Sequence, residues 1–219
     1  MEVQAKNPKL TDLLELMVRV SESAGQVDAL LMRPPDARWL LVLAHGAGAG
    51  MHHPFMENLA RELGACRIAT LRYQFPYMQH RKGRPDSPAV LMATVQAAMA
   101  TAAEAAPDLP LLAGGKSLGG RMTSLALANA SLGKEAASRV RGVVFCGFPL
   151  HAAGRPGTER AEHLSRVALP MLFLQGTRDT LADLTLMRSV CGKLAPRATL
   201  HTLDQADHSF HVPKRSGAT

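Results

Sequence analysis

Apolar positions along this chain fall into short unbroken runs, separated by segments with a helical period. Residues 39–44 (Trp-Leu-Leu-Val-Leu-Ala) are continuously apolar, as a strand buried on both faces should be. Residues 170–175 (Pro-Met-Leu-Phe-Leu-Gln) and 141–148 read the same way, and 67–73, 109–114 and 198–203 are further strand-like runs. Between the first of these strands and the next, Phe55, Leu59 and Leu63 recur four apart, which predicts a helix over 54–63. The Ala-rich stretch 89–106 is broken by Thr94, Gln96, Thr101 and Glu104, which predicts an amphipathic helix and not a membrane span. Further helices are predicted over 119–132 and 181–194, with a short one over 159–168. Upstream, 15–21 alternates loosely, 27–32 follows a turn at Ala24-Gly25, and Pro34-Pro35-Asp36 ends the hairpin. An antiparallel start followed by alternating strands and helices predicts an α/β fold: a mostly parallel central sheet with helices on both faces. No repeat or linker interrupts it, so residues 1–219 are expected to form one domain.

Composition changes this picture little. The three cysteines, Cys66, Cys146 and Cys191, are odd in number and far apart. They form no disulfide framework or zinc spacing and point to a reduced, cytoplasmic setting. Cys146, inside Val143-Val144-Phe145-Cys146, is expected in the core. The N-terminal residues Glu2, Gln4, Lys6 and Asn7 bring no apolar stretch of the signal-peptide kind. A net charge of +7 is enough to attract a polyanion. The basic residues are scattered, however. Their densest cluster, His80-Arg81-Lys82-Gly83-Arg84, has no interleaved aromatic side chains and runs into Pro85 and Pro88. It reads as a solvated loop, so neither nucleic acid nor a membrane is an expected partner. His52 and His53 lack a carboxylate or cysteine at matching spacing, so a helix start before Pro54 is expected there and no metal site.

In open parallel sheets, binding sites form beyond the carboxyl ends of the strands. The loops expected there contain His45-Gly46-Ala47-Gly48, Gly115-Lys116-Ser117-Leu118-Gly119, Gly176-Thr177-Arg178-Asp179 and Asp207-His208-Ser209-Phe210. A serine at G-x-S-x-G spacing between a strand and a helix is held in a strained turn. Its hydroxyl stands clear of the sheet, with a helix N-terminus aimed at it. The rival reading, a phosphate-binding loop ending in Gly-Lys-Ser, needs a glycine five residues before Gly115, where Pro110 stands.

Ser117 is a weak nucleophile without a base, and histidine is the side chain whose proton affinity suits neutral pH. His208, just past the last strand, is the expected base. His201 lies inside a strand-like run, and His211 comes too late after it to be the base. Asp179, directly after the strand 170–175, is the expected acid that orients the base; Asp183 is the reserve, and Asp207 is expected to brace the histidine loop. Oxyanion donors are expected from the backbone N–H groups of Leu118 and Ala47, each able to supply about 3–4 kcal/mol of transition-state stabilisation. His45, Gly46, Gly48, Tyr73, Lys116 and Arg121 flank these groups and are expected to line a substrate pocket. The methionines read as core filler.

Five segments carry a resemblance: Leu43-Ala44-His45-Gly46-Ala47-Gly48, Arg72-Tyr73-Gln74-Phe75-Pro76, Gly114-Gly115-Lys116-Ser117-Leu118-Gly119-Gly120-Arg121, Gln175-Gly176-Thr177-Arg178-Asp179 and Asp207-His208-Ser209-Phe210. Together they resemble the α/β-hydrolase superfamily over nearly the whole chain. Within it they look like the branch of bacterial "predicted α/β-hydrolase" and testis-expressed-30-like proteins. That branch is similar to the hydrolase-like part of an animal histone acetyltransferase subunit and, more distantly, to dienelactone hydrolases. The resemblance implies a serine hydrolase acting on a small-molecule ester or other acyl substrate, with no metal or organic cofactor. Its alternative is a catalytically silent scaffold within a larger assembly. About 20 residues separate the strand 141–148 from Pro170, too few for a large lid, so an open site is expected. The resemblance also implies a further helix after the histidine loop. Only 11 residues follow His208, Pro213 and Gly217 among them. That helix is therefore expected to be absent or shortened, which would leave apolar sheet surface open to a second copy.

Overall fold

The computed structural model of the chain describes residues 13–129 and 137–213. Its strands are β1 (Leu13–Ser21), β2 (Gly25–Met32), β3 (Trp39–Ala44), β4 (Ile68–Tyr73), β5 (Leu111–Lys116), β6 (Val140–Cys146), β7 (Met171–Gly176) and β8 (Ala198–Leu203). Its helices are α1 (Pro54–Ala65), α2 (Pro76–Gln79), α3 (Pro88–Ala105), α4 (Leu118–Ala128) and α5 (Leu184–Lys193), with a 3-10 helix over Glu159–Arg166. The strands form one sheet in the order β1-β2-β4-β3-β5-β6-β7-β8. β2 pairs antiparallel with both β1 and β4, and every other pairing is parallel. This is the expected fold class. The order turns at β3, whose neighbours are β4 on one side and β5 on the other. A crevice therefore opens at the carboxyl ends of β3 and β5, where the two connecting chains leave in opposite directions.

β3 shows why its apolar run is unbroken. Leu41 and Leu43 pack with Met56, Phe55, Leu59 and Leu63 of α1 on one face. Leu40, Val42 and Ala44 enter the main core on the other, with Leu91, Val95 and Met99 of α3. Each fully buried leucine, valine or methionine among these withdraws apolar surface worth roughly 1.5–3 kcal/mol from water. Helix starts follow capping chemistry. His53 precedes Pro54 and accepts a hydrogen bond at Nδ1 from the Phe55 N–H, 3.2 Å away. Ser87 caps α3 in the same way before Pro88.

Several boundaries differ from the sequence reading. The helix expected over 181–194 begins at Leu184, because the Asp183 carboxylate caps it from outside, accepting the Leu186 N–H at 2.9 Å. The short element over 159–166 is a 3-10 helix. Strand β5 runs on to Lys116, past the glycines that looked like the start of a turn. The end of the helix expected over 119–132 lies partly outside the described residues. So do Glu2, Gln4, Lys6 and Asn7 and the C-terminal residues 214–219, on which the expectation of a missing helix rests. The basic residues 80–84 are exposed after α2, and Lys82 pairs with Asp86 at 3.6 Å. All three cysteines are free, with Cys146 and Cys191 buried. No helix among the described residues is long and apolar enough to cross a membrane.

Candidate active site

Ser117 sits between the last residue of β5 and the first of α4, with φ +50° and ψ −114°. A non-glycine residue with positive φ outside the left-handed helical basin is strained by on the order of 1–3 kcal/mol and must be held there by its surroundings. Close packing does the holding. A Cβ on Gly119 would come within 2.5 Å of the His45 carbonyl oxygen, and one on Gly115 within 2.3 Å of the Ala44 carbonyl oxygen. The elbow can form only where both residues lack a side chain. The Ser117 N–H donates to the Cys146 carbonyl at 3.0 Å and ties the turn to β6.

Three distant segments meet at this elbow. Ser117 Oγ lies 2.8 Å from Nε2 of His208, and Nδ1 of His208 lies 2.7 Å from Oδ2 of Asp179. The Asp179 side chain is fully buried, whereas the imidazole is partly open to solvent. The carboxylate also accepts hydrogen bonds from the Leu181 N–H at 2.8 Å and from the Gln175 side-chain amide. An acceptor-only carboxylate at Nδ1 places the imidazole proton there, which leaves Nε2 free to accept the serine hydroxyl. The Asp207 carboxylate accepts the N–H groups of Ser209 and His211 at 2.8 and 3.0 Å and braces the loop.

A cleft of about 350 Å3 opens over Ser117, lined among others by Gly46, Ala47, Gly48, Phe55, Lys116 and Leu181. The loop after β3 is fixed by three side-chain hydrogen bonds. His45 donates from Nδ1 to the Gly46 carbonyl at 2.7 Å, and the Tyr77 hydroxyl reaches the carbonyls of Gly46 and Ala47 at 3.2 and 2.9 Å. Among the described residues, neither the Ala47 N–H nor the Leu118 N–H meets a protein acceptor. Two free donors beside a hydroxyl–imidazole–carboxylate line suit a carbonyl that becomes negatively charged at oxygen.

The expected pocket residues divide. Gly46, Gly48 and Lys116 line the cleft, but His45, Tyr73 and Arg121 do not. His45 is fully buried; its Nε2 accepts the Phe75 N–H at 3.0 Å, so the ring serves the loop and not a ligand. Burial pushes its imidazole down to about 4, which keeps that acceptor unprotonated. Tyr73 ends β4 with its ring in the core against Phe75. Its face was in fact legible: along β4 the apolar Ala69, Leu71 and Tyr73 alternate with the polar Thr70 and Arg72, and the apolar set faces the main core. Arg121 turns towards Arg160 and His163, away from the cleft. Sequence reasoning missed Phe55, Leu181, Tyr77 and Gln175. Phe55 carried a signal, an aromatic residue in the first turn after the glycine-rich loop, but its helical period matched a core position equally well.

The molecule holds a second Ser–His contact, Ser124 Oγ to His163 Nε2 at 2.7 Å, buried between α4 and the 3-10 helix. Among the described residues, no carboxylate pairs with this imidazole. Burial first, then the charges of Arg121 and Arg166, push it down to about 4. The surroundings thus oppose the imidazolium that a catalytic base must form. His45 and His163 together give a stability prediction. Both would take up protons near pH 6.5 in the unfolded chain and near 4 in the folded one, so the unfolded state holds more protons in that window. Stability should be full above about pH 6.5 and fall as pH drops towards about 4. Urea midpoints at neutral pH and at about pH 5 test this; an equal or higher midpoint in acid would contradict it.

A family model described as an alpha/beta hydrolase domain matches residues 37–219. Similar solved structures include a dienelactone hydrolase from Anabaena variabilis, at 21% identity over 92% of this chain and 90% of that one, with a TM-score of 0.72. XC6422 from Xanthomonas campestris, described as a serine hydrolase without a lid, matches at 21% identity over 92% and 88%, with a TM-score of 0.68. Est1E from Butyrivibrio proteoclasticus with bound ferulic acid matches at 14% identity over 89% and 91%, with a TM-score of 0.68.

Proposed function

Because the chain belongs to the α/β-hydrolase family, we propose that it is a serine hydrolase that cleaves small ester or thioester-like acyl compounds. The observation that carries this reading is the unbroken line from Ser117 Oγ through His208 to the buried Asp179 carboxylate, at 2.8 and 2.7 Å. Nε2 of His208 takes the hydroxyl proton as Oγ bonds to the substrate carbonyl carbon. The carbonyl oxygen becomes an oxyanion, held by the N–H groups of Ala47 and Leu118. Collapse of the tetrahedral intermediate breaks the bond to the leaving group, which receives the proton from His208. Water then repeats the sequence on the acyl-enzyme, its proton passing through His208 to Oγ as the acid departs. Asp179 keeps the proton on Nδ1 and stabilises the imidazolium.

The cleft favours short acyl or aryl groups. About 350 Å3 lies at the small end of ligand sites, and Phe55, Met56 and Leu181 present apolar walls. A fluorophosphonate probe tests the reading directly. The wild type should be labelled stoichiometrically and Ser117→Ala not at all. A folded wild type that resists the probe and leaves short p-nitrophenyl esters intact would favour the silent scaffold.

A further inference from the structure

The segment that carries His208 has no regular structure to hold it. From residue 204 to 211 the chain runs through turns, and Gln205 and Phe210 both take positive φ, 58° and 63°. Such a loop keeps an imidazole at a fixed distance only if something outside it does the holding. Asp207 braces the loop against itself and Asp179 fixes the ring. Thr177 and Arg178, after β7, tie residues 204–206; the tie at His208 itself comes from the elbow. The ammonium of Lys116, the residue before Ser117, donates to the backbone carbonyl of His208. The same ammonium lies 5.2 Å from the ring centre of Phe210 and 6.0 Å from that of Phe55, within cation–π range. Those two rings stack on each other at 5.7 Å, joining the histidine loop to the first turn of α1.

The setting of Lys116 is unusual for a lysine. Among the described residues it forms no ion pair, and Asp179 and Asp207 act on it only at longer range. Burial lowers its pKa, while the carboxylates of Asp179 and Asp207 pull it back. A cation withdrawn from water without a paired carboxylate is costly, and here only the His208 carbonyl and the two aromatic rings offset that cost. Space is tight as well: a Cβ on Gly147 would lie 3.1 Å from the ammonium and 3.5 Å from the His208 ring. Ammonium and imidazole therefore share one small region.

We infer that Lys116 is the positioning residue of the histidine loop, its ammonium pinning the His208 carbonyl beneath the Phe55–Phe210 stack so that the imidazole stays in register with Ser117. This rests on the serine-hydrolase reading. It goes beyond that reading by giving the elbow lysine a role towards the base and none towards the substrate.

The test compares wild type, Lys116→Met, Lys116→Arg and Phe210→Leu on p-nitrophenyl acetate and on a p-nitrophenyl monoester of a dicarboxylic acid. Lys116→Met keeps the bulk of the side chain and removes its donor and charge. Its kcat should fall by about 10–100-fold on both esters, the range that a misplacement of about 1 Å produces. KM should change by less than about threefold. The acid limb of its kcat/KM profile should move to higher pH by roughly 0.5–1 unit, because a cation facing the base disappears while Asp179 and Asp207 remain. Loss of packing alone would not give that direction. Lys116→Arg should recover most of kcat, and Phe210→Leu should show the same pattern at about 3–10-fold. If Lys116→Met does not fold by near-ultraviolet circular dichroism, Phe210→Leu decides the matter. Unchanged kcat in the folded variants, or a defect confined to KM for the anionic ester, would overturn the inference; the latter would make Lys116 a substrate-binding cation. A wild type inert towards both esters and the fluorophosphonate would instead sink the serine-hydrolase reading itself.

Discussion

Ester hydrolysis by the Ser117→Ala protein should fall by about 10^4-fold or more, and adding His208→Ala should cost almost nothing further. The reason is mechanical. The imidazole contributes by moving one proton between Oγ and the leaving group, so without the hydroxyl it has no proton to move. Asp179→Asn should lower kcat by about 10^3–10^4-fold while leaving the fold intact. An amide at position 179 presents an N–H group where the carboxylate now accepts from Nδ1, Gln175 and Leu181. It would favour the tautomer with the proton on Nε2, the atom that must accept from serine. Initial rates on p-nitrophenyl acetate for the three single variants and the Ser117→Ala/His208→Ala double variant provide the check. Losses that multiplied in the double variant, or a Ser117→Ala rate within tenfold of wild type, would mean that the three groups do not act as one unit.

Much of this arrangement was legible in the sequence, for definite reasons. β3 and β8 match the expected runs to the residue: β3 because a strand between two covered faces is apolar throughout and ends where the glycine-rich loop begins, and β8, at the sheet edge, because Ala198 and Leu200 alternate with the exposed Thr199 and His201. Ser117, Asp179 and His208 could be picked out because each lies in the loop that follows a strand and their order along the chain is restrictive. The structure brings these three together. Less could be read from which way a side chain points. Tyr73 ends β4 and His45 follows β3 on the correct side of the sheet, yet both turn inwards; β3 carries no alternation to say so, whereas β4, with Thr70 and Arg72 set between Ala69, Leu71 and Tyr73, does. The Lys116–Phe55–Phe210 cluster was hidden for another reason. Its members come from an elbow, a helix start and an irregular loop, so no shared period links them. The same holds for Tyr77, which fixes the loop after β3 from a one-turn helix 30 residues away. The start of α5 was misjudged because the apolar residues Leu181 and Ala182 extend a helical pattern, whereas Asp179 and Asp183 use them to build a turn and a cap.

Gly115→Ala is expected to destabilise the protein by about 2–4 kcal/mol, whereas Gly192→Ala should stabilise it by up to about 1 kcal/mol. The substitution is the same and the sign is opposite, because glycine serves different ends at the two sites. Gly192 lies in α5 with nothing within 4 Å of the added carbon, so the methyl group mainly reduces the freedom of the unfolded chain. Gly115 is in the middle strand of the parallel region, paired with Ala44 on β3 and Phe145 on β6. Its added carbon would meet the Ala44 carbonyl oxygen at 2.3 Å and the Ala44 Cβ at 2.9 Å. Neither is the end of a flexible side chain, so relief requires β3 and β5 to part at their carboxyl ends. Those ends launch the loop of His45 and Ala47 and the turn of Ser117, so catalysis should suffer along with stability even in the fraction that remains folded. Urea midpoints of both variants, with p-nitrophenyl acetate rates measured well below the transition, test this. A Gly115→Ala protein as stable as wild type would mean that Gly115 lends the turn flexibility and not proximity, and the close approach of β3 to β5 would no longer explain how the elbow is held.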